Sequence, residues 1–214
     1  MSYPTLRLHP RKEESVLRFH PWIFSGAIAS FSVPVEDGDL VSVVDSKDRP
    51  LGTGHFGGGS IAVRLLSFDA EEVIDRAFYK RRLEAALRLR LSCDLVRPVG
   101  SSDSPNTTYR LVHGEGDSLP GLIIDIYDRT AVVQAHSLGM HQARQTIAEV
   151  LWEVFAEAGD PVLPLEGVYY KSETTLPTRD MRELASDGFL IGHTEAAPIY
   201  ENGVRFTPDW LKGQ

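Results

Sequence analysis

A single cysteine, Cys93, is all the sulfur chemistry this sequence of 214 residues has beyond methionine. One thiol closes no internal disulfide, so a packed core must hold the fold, as in a reducing compartment. No apolar run approaches the ~20 residues that a membrane helix needs. The opening "MSYPTLRLHPRKEES" lacks an apolar signal core. These absences predict a cytoplasmic protein that neither spans nor coats a membrane. An excess of cations is missing too, since the net charge is −8. Taken over the whole chain, that balance argues against a polyanionic partner, and DNA is not expected.

Nucleotide and metal signatures are equally scarce. No Walker loop occurs, and the glycine turns lead into strands where a helix is needed. In "VHGEGDSLPG" a strand runs into Gly114-x-Gly116, but Pro120 comes four residues on, ahead of the β-branched "GLIIDIY". A phosphate-binding glycine turn works by aiming a helix N-terminus at its ligand, and a strand cannot replace that helix. A tight β connection is the better reading. The triple glycine at 57–59 also precedes a strand. Seven histidines are scattered without ligand spacing; His136 and His141, five apart across a glycine, share no helical face. Cys93, in "RLSCDLV", has Arg90 and Arg97 nearby but no constructible site, so it reads as structural. No residue is assigned a catalytic, cofactor-binding or metal-ligating role.

What is present is a globular chain with an uneven charge map. Hydrophobic residues make up 42% and charged residues 24%, enough for one large or two small cores. Residues 1–97 carry 14 Lys/Arg against 13 Asp/Glu, residues 98–148 carry 3 against 5, and residues 149–214 carry 5 against 12. The acidity therefore sits in the last third, and the first half tolerates phosphate.

From Leu40, short apolar runs alternate with turns: "LVSVVD", "SKDRP", "LGTGHF", "IAVRLLSF". Such spacing predicts a small β-barrel or sandwich, and the glycines of "LGTGHFGGG" predict a bulge, a corner or close backbone approach. The period then lengthens. Leu83, Leu87 and Leu91 recur every four residues, as do Ile74 and Phe78, which predicts a helix. Its stretch 75–97 holds seven Lys/Arg against three Asp/Glu. A polar segment, "PVGSSDSPNTT", marks a domain boundary. Beyond it "YRLVH", "GLIIDIY" and "TAVVQAH" read as strands, with "YDRT" as a tight turn. A helix follows, with Ile147, Leu151, Val154, Phe155 and Ala158 on one face and Gly159 as its stop. Glu149, Glu153 and Glu157 make an acidic ridge that should face away from RNA. "GVYYKS" and "GVRFTP" read as strands, and "TRDMREL" as a short helix.

The cationic helix either tracks phosphates or is a solvated connector. "RFHPWIFSGAI" tips that balance, because Arg18, His20 and Trp22 beside a glycine-rich β-module are ingredients for holding looped or single-stranded RNA. Trp22 itself is expected in the barrel core.

"RFHPWIFSGAI", "GDLVSVVDSKDRPLGTGHF" and "AVRLLSFDAEEVIDRAFYKRRLEAAL" resemble the N-terminal PUA domain and connecting helix of the bacterial rRNA large-subunit methyltransferase I family. These are S-adenosylmethionine (SAM)-dependent RNA cytosine-5 methyltransferases. "YRLVHGEGDSLPGLIIDIYDRTAVVQ", "GVYYKSE" and "IYENGVRF" are similar to that family's central domain. The resemblance implies an α+β chain: a PUA-type RNA-binding barrel over 1–72, a basic connecting helix over 73–97, a polar linker over 98–107 and a central α+β domain with a mainly antiparallel sheet over 108–214. It implies no Rossmann-like domain within these residues, since in the family that domain follows the "LKGQ" at which this sequence ends. SAM is then expected for the full-length family enzyme and not within this chain. Family chemistry uses a cysteine thiolate on C6 of cytosine, a role Cys93 does not inherit. The implied function is the RNA-positioning part of such an enzyme. The partner is RNA, 23S rRNA in particular, with a homodimer allowed. Arg18, His20, Arg64, Lys80 and Arg81 are the expected RNA-facing residues. A non-enzymatic RNA-binding or dimerisation module is the alternative.

Overall fold

A computed structural model describes residues 3–177 and 186–210. The "TRDMREL" helix expected at 178–184 lies outside the described residues.

The N-terminal part is a six-stranded sheet built from β1 (Thr5–Leu8), β2 (Trp22–Phe24), β3 (Ile28–Phe31), β4 (Leu40–Val44), β5 (Pro50–Phe56) and β6 (Ile61–Ser67), with a single-turn helix α1 (Glu14–Leu17) before β2. The strand order is β2-β6-β5-β4-β1-β3, antiparallel throughout except for β1 against β4. Alternation sets which side chains go inward: Leu6 and Leu8, then Val41 and Val43, are fully buried in one cluster with Ile23, Leu51, Val63 and Leu65. Strands from both ends of the order, β2 and β3, feed this one cluster through Ile23 and Ile28, so the sheet curls around it. The curl explains Gly54. A Cβ there would lie 2.2 Å from the Arg64 carbonyl oxygen, so only glycine lets β5 and β6 approach this closely.

Helix α2 (Arg76–Ser92) starts where Asp75 caps it, accepting the Phe78 amide at 2.9 Å. It does not stand free. Phe78, Tyr79, Leu83, Ala86 and Leu87 belong to the same core as the second sheet. That sheet comprises β7 (Thr108–His113), β8 (Leu122–Tyr127), β9 (Thr130–Ala135), β10 (Gly167–Tyr170) and β11 (Gly188–Gly192), in the order β11-β10-β9-β8-β7. The Asp128-Arg129 turn joins β8 to β9, with Asp128 at φ +55°. Helices α3 (Leu138–Gln142) and α4 (Arg144–Ala158) then carry the chain over one face to β10. Ile147, Leu151, Val154 and Phe155 of α4 are buried, whereas Ala158 is exposed. A small hairpin, β12 (Ile199–Glu201) and β13 (Val204–Phe206), turns at Asn202-Gly203, both at positive φ.

The second domain expected from the sequence, with a mainly antiparallel sheet and no Rossmann-like unit, needs correction at one strand pair. Its sheet is mixed: β9 and β10 run parallel, while β7/β8, β8/β9 and β10/β11 are antiparallel. The reason is the helical layer between β9 and β10. A crossover returns the chain to the edge from which β9 started, and the next strand must run parallel to it. This β9-helix-β10 crossover is the unit from which Rossmann-like sheets are made.

Candidate nucleic-acid interface

Strand β2 supplies the first side chains. Ile23 points into the barrel core, so its neighbours Trp22 and Phe24 must point outward. Trp22 is thus not the core anchor expected above. It is half-buried on the outer surface, and its indole N–H donates to Glu115 Oε1 of the second sheet's β7–β8 turn at 2.7 Å. Antiparallel pairing sets Trp22 opposite Arg64 and Arg64 opposite His55, giving a row of three across β2, β6 and β5.

Trp22 and Arg64 of this row line a cleft of about 330 Å³ whose other walls include Glu115, Ile123 and His136, whereas His55 faces away from it, towards Gly139 and Gln142. Burial lowers the Arg64 pKa from its ordinary value, and the Glu115 charge opposes that shift. Among the described residues the Arg64 guanidinium makes no hydrogen bond or ion pair and feels Glu115 only through its charge. His55, at the inner end of the row, is 6% exposed. Burial, then the Arg64 charge, pushes its pKa down to about 4, and its Nδ1 has no hydrogen-bond partner among the described residues. The ring packs on α3, where a Cβ on Gly139 would lie 2.2 Å from the His55 ring.

The five expected RNA-facing residues divide into two groups. Arg18, just before β2, has its side chain 76% exposed and held at Glu14, where Nη2 pairs with the carboxylate and Nε donates to the carbonyl oxygen, both at 3.3 Å. His20 is exposed, its Nδ1 accepts the Trp22 amide at 3.1 Å, and its ring meets the indole edge-on at 5.8 Å. Arg64 is opposite Trp22, so it and His20 flank one tryptophan, and Arg18 lies four residues before that tryptophan in the chain. Lys80 and Arg81 project from α2 and are engaged elsewhere. Lys80 bonds both Glu153 and Glu157 of α4, contacts that raise its pKa, and Arg76 joins the same ladder through Glu153 at 2.6 Å. Arg81 pairs with Glu72 at 2.8 Å. The acidic ridge of α4 is therefore clasped by the basic helix.

Sequence reading missed the Trp22–Glu115 bridge and the buried pair between Arg90 and Asp117. In that pair Nη2 reaches Oδ2 at 2.8 Å, and Asp117 also accepts the His113 amide at 2.6 Å. Alternation around Ile23 was the one signal that could have placed Trp22 outside. Cys93 lies exposed just beyond α2, and no three His, Cys, Asp or Glu side chains converge as metal ligands among the described residues. No described helix is long and apolar enough to cross a membrane.

A PUA-like domain model matches residues 6–68, the span from β1 to the end of β6. Proteins named ribosomal RNA large subunit methyltransferase I match 97% of the chain, at 36% identity in Shewanella amazonensis and 32% in Klebsiella pneumoniae. This chain is a homologue of the ribosomal RNA large subunit methyltransferase I proteins. It spans about half the length of those relatives, 49% and 48% respectively. A solved structure from Streptococcus mutans, described as a SAM-dependent methyltransferase, matches 97% of the chain and 48% of its own, with a TM-score of 0.73 at 19% identity. A second, SMU.776, described as a methyltransferase and solved with SAH, gives 0.72 at 18%, covering 97% of this chain and 47% of its own. These likenesses, with the parallel β9/β10 pair, overturn the expectation that no Rossmann-like domain is present. The mixed five-stranded sheet is consistent with one.

Proposed function

We propose that this chain holds rRNA for SAM-dependent methylation, gripping a looped or single-stranded segment along the outer face of its N-terminal barrel. Homology to rRNA methyltransferases along 97% of the chain, joined to a PUA-like domain, is the observation that carries this reading. The side chains of this face support it physically: Arg18 and Arg64 offer charge to phosphates, and His20 and Trp22 offer flat groups to bases. On this reading Lys80 and Arg81 contribute less than the sequence suggested, because carboxylates already hold them. The target base is cytosine, modified at C5 in 23S rRNA of the cytoplasm. The transfer chemistry belongs to the part of the relatives' length that this chain does not span.

Rossmann-like sheets seat their ligands at the turn from the carboxyl end of a parallel strand into a helix, and SAM would be sought there. After β9 that turn runs from His136, on the wall of the cleft, to Gly139, against which His55 of the barrel packs. The His55 ring narrows that turn for a donor on the Gly139 side, and no step is routed through it.

The test is RNA affinity against salt, with an rRNA fragment as probe. Each phosphate contact on a single strand contributes a slope of about −0.7 in log K against log salt. Binding that weakens with salt, and a shallower slope in the R18A/R64A double variant, are expected. Absent binding, or binding flat from low to physiological salt, refutes the proposal.

A further inference from the structure

Phe19 occupies a position that neither backbone nor core physics favours. Helix α1 ends at Leu17, and the Phe19 amide bonds the Val16 carbonyl at 2.9 Å while the His20 amide bonds the Ser15 carbonyl at 3.0 Å. That pair of bonds is the Schellman arrangement, in which the residue after the cap is left-handed and usually glycine. Phe19 sits there at φ +60°, a conformation that glycine adopts freely and a bulky residue adopts under strain. Its ring gains little burial in return, being 73% exposed. It meets Phe68 in a T-shaped pair, ring centroids 5.3 Å apart at 77°, and most of its surface stays open to solvent. Backbone strain and solvent exposure in one aromatic point to a task outside folding.

The surroundings define the occupant. Phe19 adjoins an outward run of His20, Trp22 and Phe24, with ring centroids at 5.8 and 6.5 Å and Phe24 52% exposed. Arg18, next in sequence, is exposed, and Arg64 lies opposite Trp22 without an ion-pair partner among the described residues. Open rings flanked by available guanidinium groups suit a ligand with flat apolar faces on an anionic backbone. We infer that Phe19, braced by Phe68, is a base-stacking subsite for unpaired RNA nucleotides, with Arg18 supplying charge to the adjoining phosphate. This rests on the reading of the barrel's outer face as the RNA-holding surface.

The experiment measures fluorescence anisotropy of a labelled oligouridylate, and of a paired RNA duplex of equal length, against wild type, F19G, F19N, F19W and R64A. Base–aromatic stacking lost at one position should weaken single-strand binding about tenfold in F19G and F19N. Their salt slope should stay that of wild type, because no phosphate contact is removed. F19W should bind as wild type does, and duplex affinity should not change. The melting temperature of F19G should be equal to or above wild type, since glycine relieves the strain. If F19G and F19N bind oligouridylate as tightly as wild type while R64A is weakened, the subsite is refuted and the RNA-holding surface stands. If wild type binds neither RNA, the underlying reading fails as well. Unchanged RNA affinity with a loss of self-association in F19G would assign the patch to a second copy of the chain and overturn the subsite.

Discussion

Acidification should weaken this fold through His55. The ring is buried between β5 and α3, with Gly139 against it and the Arg64 cation near. Its folded pKa is about 4, against an ordinary 6.5. The folded pKa is the lower of the two, so as pH falls the unfolded chain takes up the proton first. The stabilising contribution is complete above pH 6.5 and is lost as pH falls towards 4, below which it levels off. The whole interval corresponds to about 3 kcal/mol, and the step from pH 7 to pH 5 to about 2 kcal/mol. Other groups titrate in the same range. His136 and His141 also have lowered values, chiefly through burial, so the wild-type pH profile alone does not isolate His55.

The comparison is therefore with His55→Gln, which keeps a polar planar group but cannot titrate. Urea unfolding at pH 7 and pH 5 gives four free energies, and equal m-values confirm that the unfolded states are comparable. The wild type should lose about 2 kcal/mol more than the variant on going to pH 5. Equal losses in the two proteins would refute the argument, because His55 would then have to be protonated equally well inside the fold and outside it.

Gly139→Ala places a Cβ 2.2 Å from the same ring and should destabilise by about 3 kcal/mol in chemical denaturation, at the upper end of over-packing costs. Arg90→Ala leaves Asp117, with a side chain only 5% exposed, without its cation; a loss of about 4 kcal/mol is expected, and R90M/D117L should recover most of it. Trp22→Phe keeps the ring but removes the 2.7 Å bond to Glu115, for a loss of about 1 kcal/mol by thermal melting. Arg64→Ala should lower affinity for an rRNA fragment several-fold in an anisotropy titration, whereas Lys80→Ala should leave it nearly unchanged, since Lys80 already faces Glu153 and Glu157.

Local order was largely legible. The two-residue period of "LVSVVD" became β4 with Val41 and Val43 inward, the four-residue recurrence of Leu83 and Leu87 became α2, and "YDRT" became the turn between β8 and β9. Each signal lies within a few residues of the structure it specifies. Pairing between distant segments was not legible. That β10 lies parallel to β9 depends on the path of the intervening helices, and both directions leave the same apolar pattern in "GVYYKS". Lys80 and Glu153 are separated by 73 positions, so nothing near either residue announces the contact. Trp22 is the intermediate case, because the neighbouring Ile23 carried the information and an aromatic ring's affinity for cores argued the other way.

Cation density in the sequence therefore differs from cation availability in the fold. Of the seven Lys/Arg between residues 75 and 97, Arg76 and Lys80 are held by α4, Arg81 and Arg82 face Glu72, Arg90 is bound to Asp117, and Arg97 is bound near Asp94 and Asn202. Of the seven, only the Arg88 side chain makes no hydrogen bond or ion pair among the described residues. Exposed pairs of this kind are individually weak and can exchange partners. The glutamates of α4 stay beside Arg76 and Lys80 whichever partner each cation takes, and a phosphate approaching there would meet their repulsion. The barrel's outer face has a different balance: Arg64 has no ion pair among the described residues, Arg18 has two exposed contacts to Glu14, each 3.3 Å long, and the carboxylate facing Arg64 across the cleft, Glu115, accepts the Trp22 indole N–H. An RNA backbone drawn by charge should thus settle against the barrel, although the basic helix carries more cations.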